Sequence, residues 1–206
     1  MNKKDTWNQL YSESNTLFGD KVNPLAIQIE EFLPAHAKVL NLGDGEAFNS
    51  VFFAQKKHIV TSLDSAEEAQ KKASQNATDK HVSIEFICCD IFDWQTPSKV
   101  YDLVSLFFVH VESNKKTKLA SLIWQALKPG GLFLFECFHE ENLSVSNIGP
   151  KSKEMLYTED ELQSLYPEFE IKYLSRNYAE NYREGIGKQA GCTLQFIGLK
   201  KANADQ

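Results

Sequence analysis

KVLNLGDGEAFN, residues 38–49, is the stretch that decides the fold. Val39, Leu40 and Leu42 make a short apolar run of the kind a buried parallel strand shows. The run meets Gly43-Asp44-Gly45-Glu46, where two glycines one residue apart allow a sharp turn at φ values other residues avoid. Without Cβ atoms, both glycines also let a ligand lie against the main chain. After Glu46 the period changes: Ala47, Val51 and Ala54 recur at helical spacing, and Phe52 and Phe53 widen the apolar face. Strand, glycine turn and helix open a doubly wound α/β sheet that holds a nucleotide-like ligand at its strand ends. A dinucleotide is disfavoured, because G-x-G-x-x-G requires glycine where Phe48 stands. No Lys-Ser or Lys-Thr follows to cradle a triphosphate. A plain strand-to-helix connection also uses glycines, so the turn needs support from the rest of the chain.

Outward from this turn the pattern repeats. Towards the N-terminus, residues 5–14 carry Trp7, Leu10 and Tyr11 on one helical face. Asn23-Pro24 opens a second helix, capped by Asn23, with Leu25, Ile27, Ile29, Phe32 and Leu33 as its buried side. Towards the C-terminus, residues 58–63 read as a strand ending in Asp64, followed by a helix over 66–77 capped by Ser65. Strands follow over 82–88, 101–108 and 132–138, with a helix over 115–127 before Lys128-Pro129-Gly130-Gly131. This alternation predicts a mostly parallel sheet with helices on both faces. The end differs. Residues 143–153 read as a polar loop, and Thr158 to Glu161 as a capping box opening a helix. Residues 169–174 and 192–200 read as two strands joined by a long connector, an antiparallel hairpin added to the sheet. Residues 202–206 read as a frayed end.

Size and charge narrow the function. A chain of 206 residues forms one domain with a sizeable core: an N-terminal helical part over 1–36 and an α/β core over 37–201. The net charge of −6 argues against a nucleic-acid surface. The N-terminus is polar rather than a signal peptide, and the longest apolar stretch, Leu103 to Val111, is too short to span a membrane. Cys88, Cys89, Cys137 and Cys192 form no CxxC pair, so zinc is disfavoured and reduced thiols in a cytoplasmic protein are the simplest account.

Gly43-Asp44-Gly45, Asp64 and Asp90 fall at three successive strand ends. Carboxyl ends of strands gather on one rim of an open α/β sheet, so these residues converge on one crevice. An acid at the second strand end suits two ribose hydroxyls, and Asp90 suits an amino group such as that of adenine. Each acid taken alone also reads as a surface or capping carboxylate.

On these residues the chain resembles the class I S-adenosylmethionine-dependent methyltransferases, and within them the tellurite-resistance and thiopurine methyltransferase-like branch. Leu42 to Glu46 with Asn49 is similar to that family's glycine-rich turn, Leu63-Asp64-Ser65 to its ribose-binding strand end, and Cys89-Asp90-Ile91 to its adenine side. Leu127 to Gly131 matches its L-K-P-G-G motif. Trp7 to Tyr11, Phe18-Gly19, Asn23-Pro24, Glu184-Gly185 and Gly191 point to the branch. The resemblance implies a Rossmann-like sheet of seven strands, the seventh antiparallel and beside the fifth, with the N-terminal helical part capping the cofactor site. It implies that Asn41, Gly43, Asp44, Gly45, Asn49, Asp64, Ser65, Asp90, Ile91 and Phe107 hold S-adenosyl-L-methionine. Where the family has an acid, this chain has Asn41, and Asp44 replaces a small residue or cysteine. Two roles are open for Asp44: supplying the missing carboxylate, or facing solvent. Ala47 and Phe48 stand in place of Gly-Arg.

Methyl transfer from a sulfonium needs alignment of a lone pair and exclusion of water more than covalent help. Soft anionic acceptors such as a thiolate, selenite or tellurite need no base. Trp7, Tyr11, Phe18 and Phe108 are aromatic candidates for the sulfonium, with core packing the favoured role for Trp7 and Phe108. His110, after the fourth strand, is a candidate to orient the acceptor or take a proton, and His139 has similar standing. Arg176 and Arg183 are the chain's two arginines, against twenty lysines, and read as candidates for an anionic substrate pocket or as surface residues. The expected partner is a small molecule, with no nucleic acid or membrane, and the protein a monomer or homodimer. Two other readings stand beside the enzyme: a cofactor-binding scaffold that has lost turnover, favoured by the altered turn, and an NAD-type oxidoreductase, disfavoured by Phe48 and L-K-P-G-G.

Overall fold

In the computed structural model of the protein the described residues are 3–201; the tail read as frayed lies outside them. Seven strands form one sheet: β1 (Lys38–Leu42), β2 (Ile59–Asp64), β3 (Glu85–Cys88), β4 (Tyr101–Phe107), β5 (Leu127–Phe138), β6 (Phe169–Arg183) and β7 (Gly187–Lys200). Their order is β3-β2-β1-β4-β5-β7-β6. The first five are parallel to one another, and β7 runs antiparallel between β5 and β6. The strand order reverses beside β1, which places the glycine turn at the topological switch point where such sheets bind ligands.

Strand alternation sorts the apolar residues into two layers. Leu40, Leu42, Val104, Leu106, Phe133, Phe135, Leu194 and Phe196 face helices α5 (Ser113–Ala126) and α7 (Glu159–Leu165). Val39, Val60, Leu103, Leu134 and Ile197 face α2 (Pro24–Glu30) and α3 (Phe48–Gln55). The helix α4 (Glu67–Asp79) presents Ala69 to a smaller cluster around Tyr11 and Leu17, where α1 (Lys3–Glu13) lies. The two N-terminal helices therefore do different work. Leu25, Ala26 and Ile29 of α2 are buried in the core layer, whereas α1 packs at the carboxyl rim. On the outer side of α2, Ile27 and Phe32 are exposed, which corrects their placement on its buried face.

Further boundaries differ from the sequence expectation, among them the start of β5, at Leu127 rather than 132, and of β3, at Glu85 rather than 82. Ala66, not Ser65, is the N-cap of α4, and Asp64 Oδ1 accepts its amide at 2.8 Å. The polar loop over 143–153 contains the short helix α6 (Asn142–Val145) and a 3-10 turn at Lys153–Met155. The connector over 175–191 is strand: β6 and β7 stay paired from Phe169↔Lys200 to Arg183↔Gly187. Its outer part alternates polar side chains with no apolar face, so its pairing rests on backbone hydrogen bonds rather than on burial.

Candidate active site

Gly43 and Gly45 have φ of +62° and +58°, the left-handed turn the sequence requires. Their missing Cβ atoms make room for this chain's own side chains. A Cβ on Gly43 would lie 2.2 Å from Val109 Cγ2, and one on Gly45 2.6 Å from the Tyr11 hydroxyl. The faces expected to be bare for a ligand are thus covered by the segment after β4 and by α1. Phe108, next to Val109, has φ of +57°, an uncommon conformation for a bulky residue, and packs against Phe138.

Below the turn runs a chain of polar groups. Asn41 is buried, accepts from Ser105 Oγ and donates through Nδ2 to Ser50 Oγ at 2.6 Å. Ser50 Oγ donates to Asp44 Oδ2 at 2.5 Å, and Ser62 Oγ donates to the same oxygen at 2.7 Å. Burial pushes the Asp44 carboxyl up to about 7 against these two hydrogen bonds, and the nearby Asp64 charge adds to the rise. Asp64 Oδ2 accepts from Gly45 N at 2.9 Å, tying the end of β2 to the turn. Its carboxyl is raised by burial, and the amides of Ala66, Gly45 and Ser65 pull it back down. Among the described residues, no Lys, Arg or His nitrogen lies within 4 Å of either carboxylate, whereas Glu46, also in the turn, is paired with Lys72 at 3.3 Å.

The other expected cofactor residues spread along the rim. Ser65 and Ile91 are half-buried, and Phe107 packs against the layer beneath α2 and α3. Asp90 is exposed, and its Oδ1 accepts from Phe92 N at 2.8 Å in an Asx turn. Asn49 Oδ1 accepts from Asn23 N, and Asn23 Nδ2 reaches the buried Glu136 at 2.6 Å. Asn23 and Asn49 thus fasten α2 to α3 and to β5.

The rim is roofed from two directions. Tyr11 is buried over Gly45, and burial together with the acids of the turn holds its phenol well above the usual range. Leu17 N donates to Glu46 Oε2, and Lys72 Nζ donates to Ser14 O and Asn15 O. From the opposite side, Glu184 at the tip of the β6–β7 hairpin accepts from the amides of Asn15 (2.7 Å) and Thr16 (2.9 Å), and its own amide donates to Leu17 O. Residues 15–17 and Glu184 therefore form one contact. Glu184→Ala is expected to leave the fold intact and raise amide exchange at Asn15 and Thr16 by about fivefold or more, the loss of one or two hydrogen bonds of about 1 kcal/mol each. Unchanged exchange at both amides would show that Glu184 does not hold the roof.

The acceptor-side candidates are less gathered than their sequence positions suggest. His110 is half-buried, its ring stacked on Phe138, and its Nε2 accepts from Phe138 N at 3.2 Å. His139 is buried between the amide of Glu141 and the carboxylate of Glu159. Arg176 lies on β6 and is held by Glu141 at 2.6 Å and Glu159 at 2.8 Å. Arg183, half-buried, ends the same strand. Seven residues of regular strand put the two arginines on opposite faces and roughly 23 Å apart, so they do not share a pocket. His139, Glu141 and Cys192 bring ligand atoms within 4.8 Å of one another, but both Glu141 oxygens are already taken, by Arg176 and by Tyr178.

Residues 39–131 match the methyltransferase-domain family. Together with the relatives below, the match indicates an S-adenosylmethionine-dependent methyltransferase. The matched stretch runs from β1 through the glycine turn, Asp64 and Asp90 to the L-K-P-G-G motif. Across 168 residues the methyltransferase is 24% identical to carboxy-S-adenosyl-L-methionine synthase of Nautilia profundicola, covering 80% of this chain and 70% of that protein. Its fold is shared with TehB from Haemophilus influenzae, at a TM-score of 0.74 and 18% identity over 97% of this chain and 67% of that one. A protein that converts a disulfide bond into a thioacetal group in echinomycin biosynthesis superposes with a TM-score of 0.81, at 14% identity over 99% and 94% of the two chains. A Burkholderia thailandensis N1-methyltransferase with bound S-adenosylhomocysteine gives 0.65, at 19% identity over 87% and 78%.

The charge of the turn fits the cofactor. S-adenosylmethionine is cationic at its sulfonium and at its ammonium. Asp44 and Asp64 offer two largely buried carboxylates with no cation of the described residues beside them, the arrangement a cationic ligand completes.

Proposed function

We propose that the methyltransferase acts on a small-molecule acceptor with a soft nucleophile, a thiol or a chalcogen oxyanion such as tellurite or selenite. The bound cofactor supplies a methyl carbon activated by positive sulfur. The chain's residues bind, orient and enclose: Asp64 takes the ribose hydroxyls, Asp90 and Ile91 the adenine, and Asn41, Asn49 and Asp44 support the turn or the amino-acid end. Tyr11 and the loop to Phe18 exclude water, as an alkyl transfer requires. The observation that carries the acceptor class is how far the acid–base side chains of the rim are already engaged. His110 Nε2 is used by Phe138 N, and His139 by Glu141 and Glu159. An acceptor already anionic at neutral pH needs none of them as a base. The sulfur chemistry of the echinomycin-pathway neighbour and the TehB likeness support the same class. The non-catalytic reading draws support from Val109 and Tyr11, which fill the turn.

Calorimetric titration with S-adenosylmethionine and S-adenosylhomocysteine, followed by a screen of small thiols, selenite and tellurite, tests both. Micromolar binding with turnover of a thiol or oxyanion is the expected result. Binding without turnover across that panel would favour the scaffold, and no binding of either compound would remove the cofactor assignment.

A further inference from the structure

The geometry points to Asp44 as the carboxylate that pairs with a positive charge of the bound cofactor, so that binding expels a proton from the protein. This rests on the cofactor reading above and assigns the charge-pairing role to a residue three positions beyond Asn41. Asn41 itself carries no charge and is engaged inside the protein: its carbonyl oxygen accepts from Ser105 and its amide donates to Ser50.

Asp44 is placed differently. Both serine hydroxyls go to one oxygen, Oδ2, and Oδ1 accepts from neither. The groups facing it are Ser50 from α3, Ser62 and Asp64 from β2, and the Tyr11 phenol from α1. Lys72 of α4 is turned to Glu46 instead. None of these offers Asp44 a cation. A carboxylate buried among neutral donors and beside a second carboxylate favours its protonated form. A cationic ligand reverses that preference and releases the proton. The sign is fixed. In the free protein the carboxyl, raised to about 7, holds a proton that the unfolded chain has already lost. Stability therefore falls as pH rises from the ordinary carboxylate range to about 7. Cofactor affinity rises over the same approach to 7 and levels above it.

The experiment is calorimetric titration of the full chain in buffers of different ionisation enthalpy, at pH 6 and pH 8. The ligands are S-adenosylmethionine, which carries sulfonium and ammonium, and S-adenosylhomocysteine, which carries ammonium alone. The wild type is expected to release close to one proton at pH 6. Asp44→Asn is expected to release none, and to bind about tenfold or more weakly at pH 8, the loss of one charge-assisted hydrogen bond, with a smaller gap at pH 6. Release with both ligands assigns the ammonium; release with S-adenosylmethionine alone assigns the sulfonium. Equal proton release and affinity in Asp44→Asn would overturn the inference and leave the cofactor reading standing. Failure of the wild type to bind either ligand would overturn both. Should Asp44→Asn misfold, Ser62→Ala serves instead: losing a hydrogen bond to Oδ2 moves the proton release to higher pH. A pH profile of release unmoved in that variant also counts against Asp44.

Discussion

Asp64→Ala is expected to weaken binding of S-adenosylmethionine and S-adenosylhomocysteine more than 100-fold. Two charge-assisted hydrogen bonds to the ribose would be lost, worth about 1.5–3 kcal/mol each. The carboxylate also holds the turn in shape, since Oδ2 accepts from Gly45 N and Oδ1 from Ala66 N. Its removal leaves buried amides without acceptors, at about 1–3 kcal/mol each, so a lower melting temperature should accompany the loss of binding. Asp64→Asn separates the two effects. An amide oxygen still accepts one backbone N–H, and it recovers stability more than affinity. Calorimetry and thermal unfolding on the three proteins read both quantities. Binding by Asp64→Ala within about threefold of wild type would rule out the ribose role.

The second large effect concerns folding. Gly43→Ala is expected to destabilise the protein by about 2–5 kcal/mol, from a left-handed backbone cost of about 1–2 kcal/mol and an overpacking cost of about 1–3 kcal/mol. The new methyl would fall 2.2 Å from Val109 Cγ2, so the segment after β4 must shift. For a domain of this size the melting temperature should drop by roughly 4–20 °C. Val109→Ala in the same chain relieves the clash but not the backbone strain, and should recover part of the loss. An unchanged melting temperature in Gly43→Ala would mean that Val109 does not sit against the turn.

The parts of the fold legible in the sequence are those where burial dictates residue type. β1, β4 and β5 are continuous apolar runs because helices cover both faces, and the glycine turn announces itself through φ values only glycine adopts easily. The outer half of the β6–β7 hairpin was not legible, because strands with no core face carry no two-residue period of burial. Arg176 and Arg183 were read as connector residues for the same reason. At the site, the three strand-end acids could be located from spacing alone. What each side chain does could not: Asn41 faces into the protein, Asn49 fastens α2, and Asp90 closes a turn. Nor do the apolar patterns of α1 and the β4 loop reveal that Tyr11 and Val109 cover the glycines.

Strand order has a consequence for how the protein is made. β7, which follows β6 in the chain, lies between β5 and β6, and the roof over the glycine turn is fastened by contacts between residues 15 and 184. A chain emerging from the ribosome can form β1 to β5 early, but its outermost apolar strand then waits, with an open edge, for the β6–β7 segment. Until that segment arrives, the first helix has no hairpin tip to grip. The nascent methyltransferase therefore assembles its cofactor platform long before it can enclose one, and the enclosure waits on the β6–β7 hairpin.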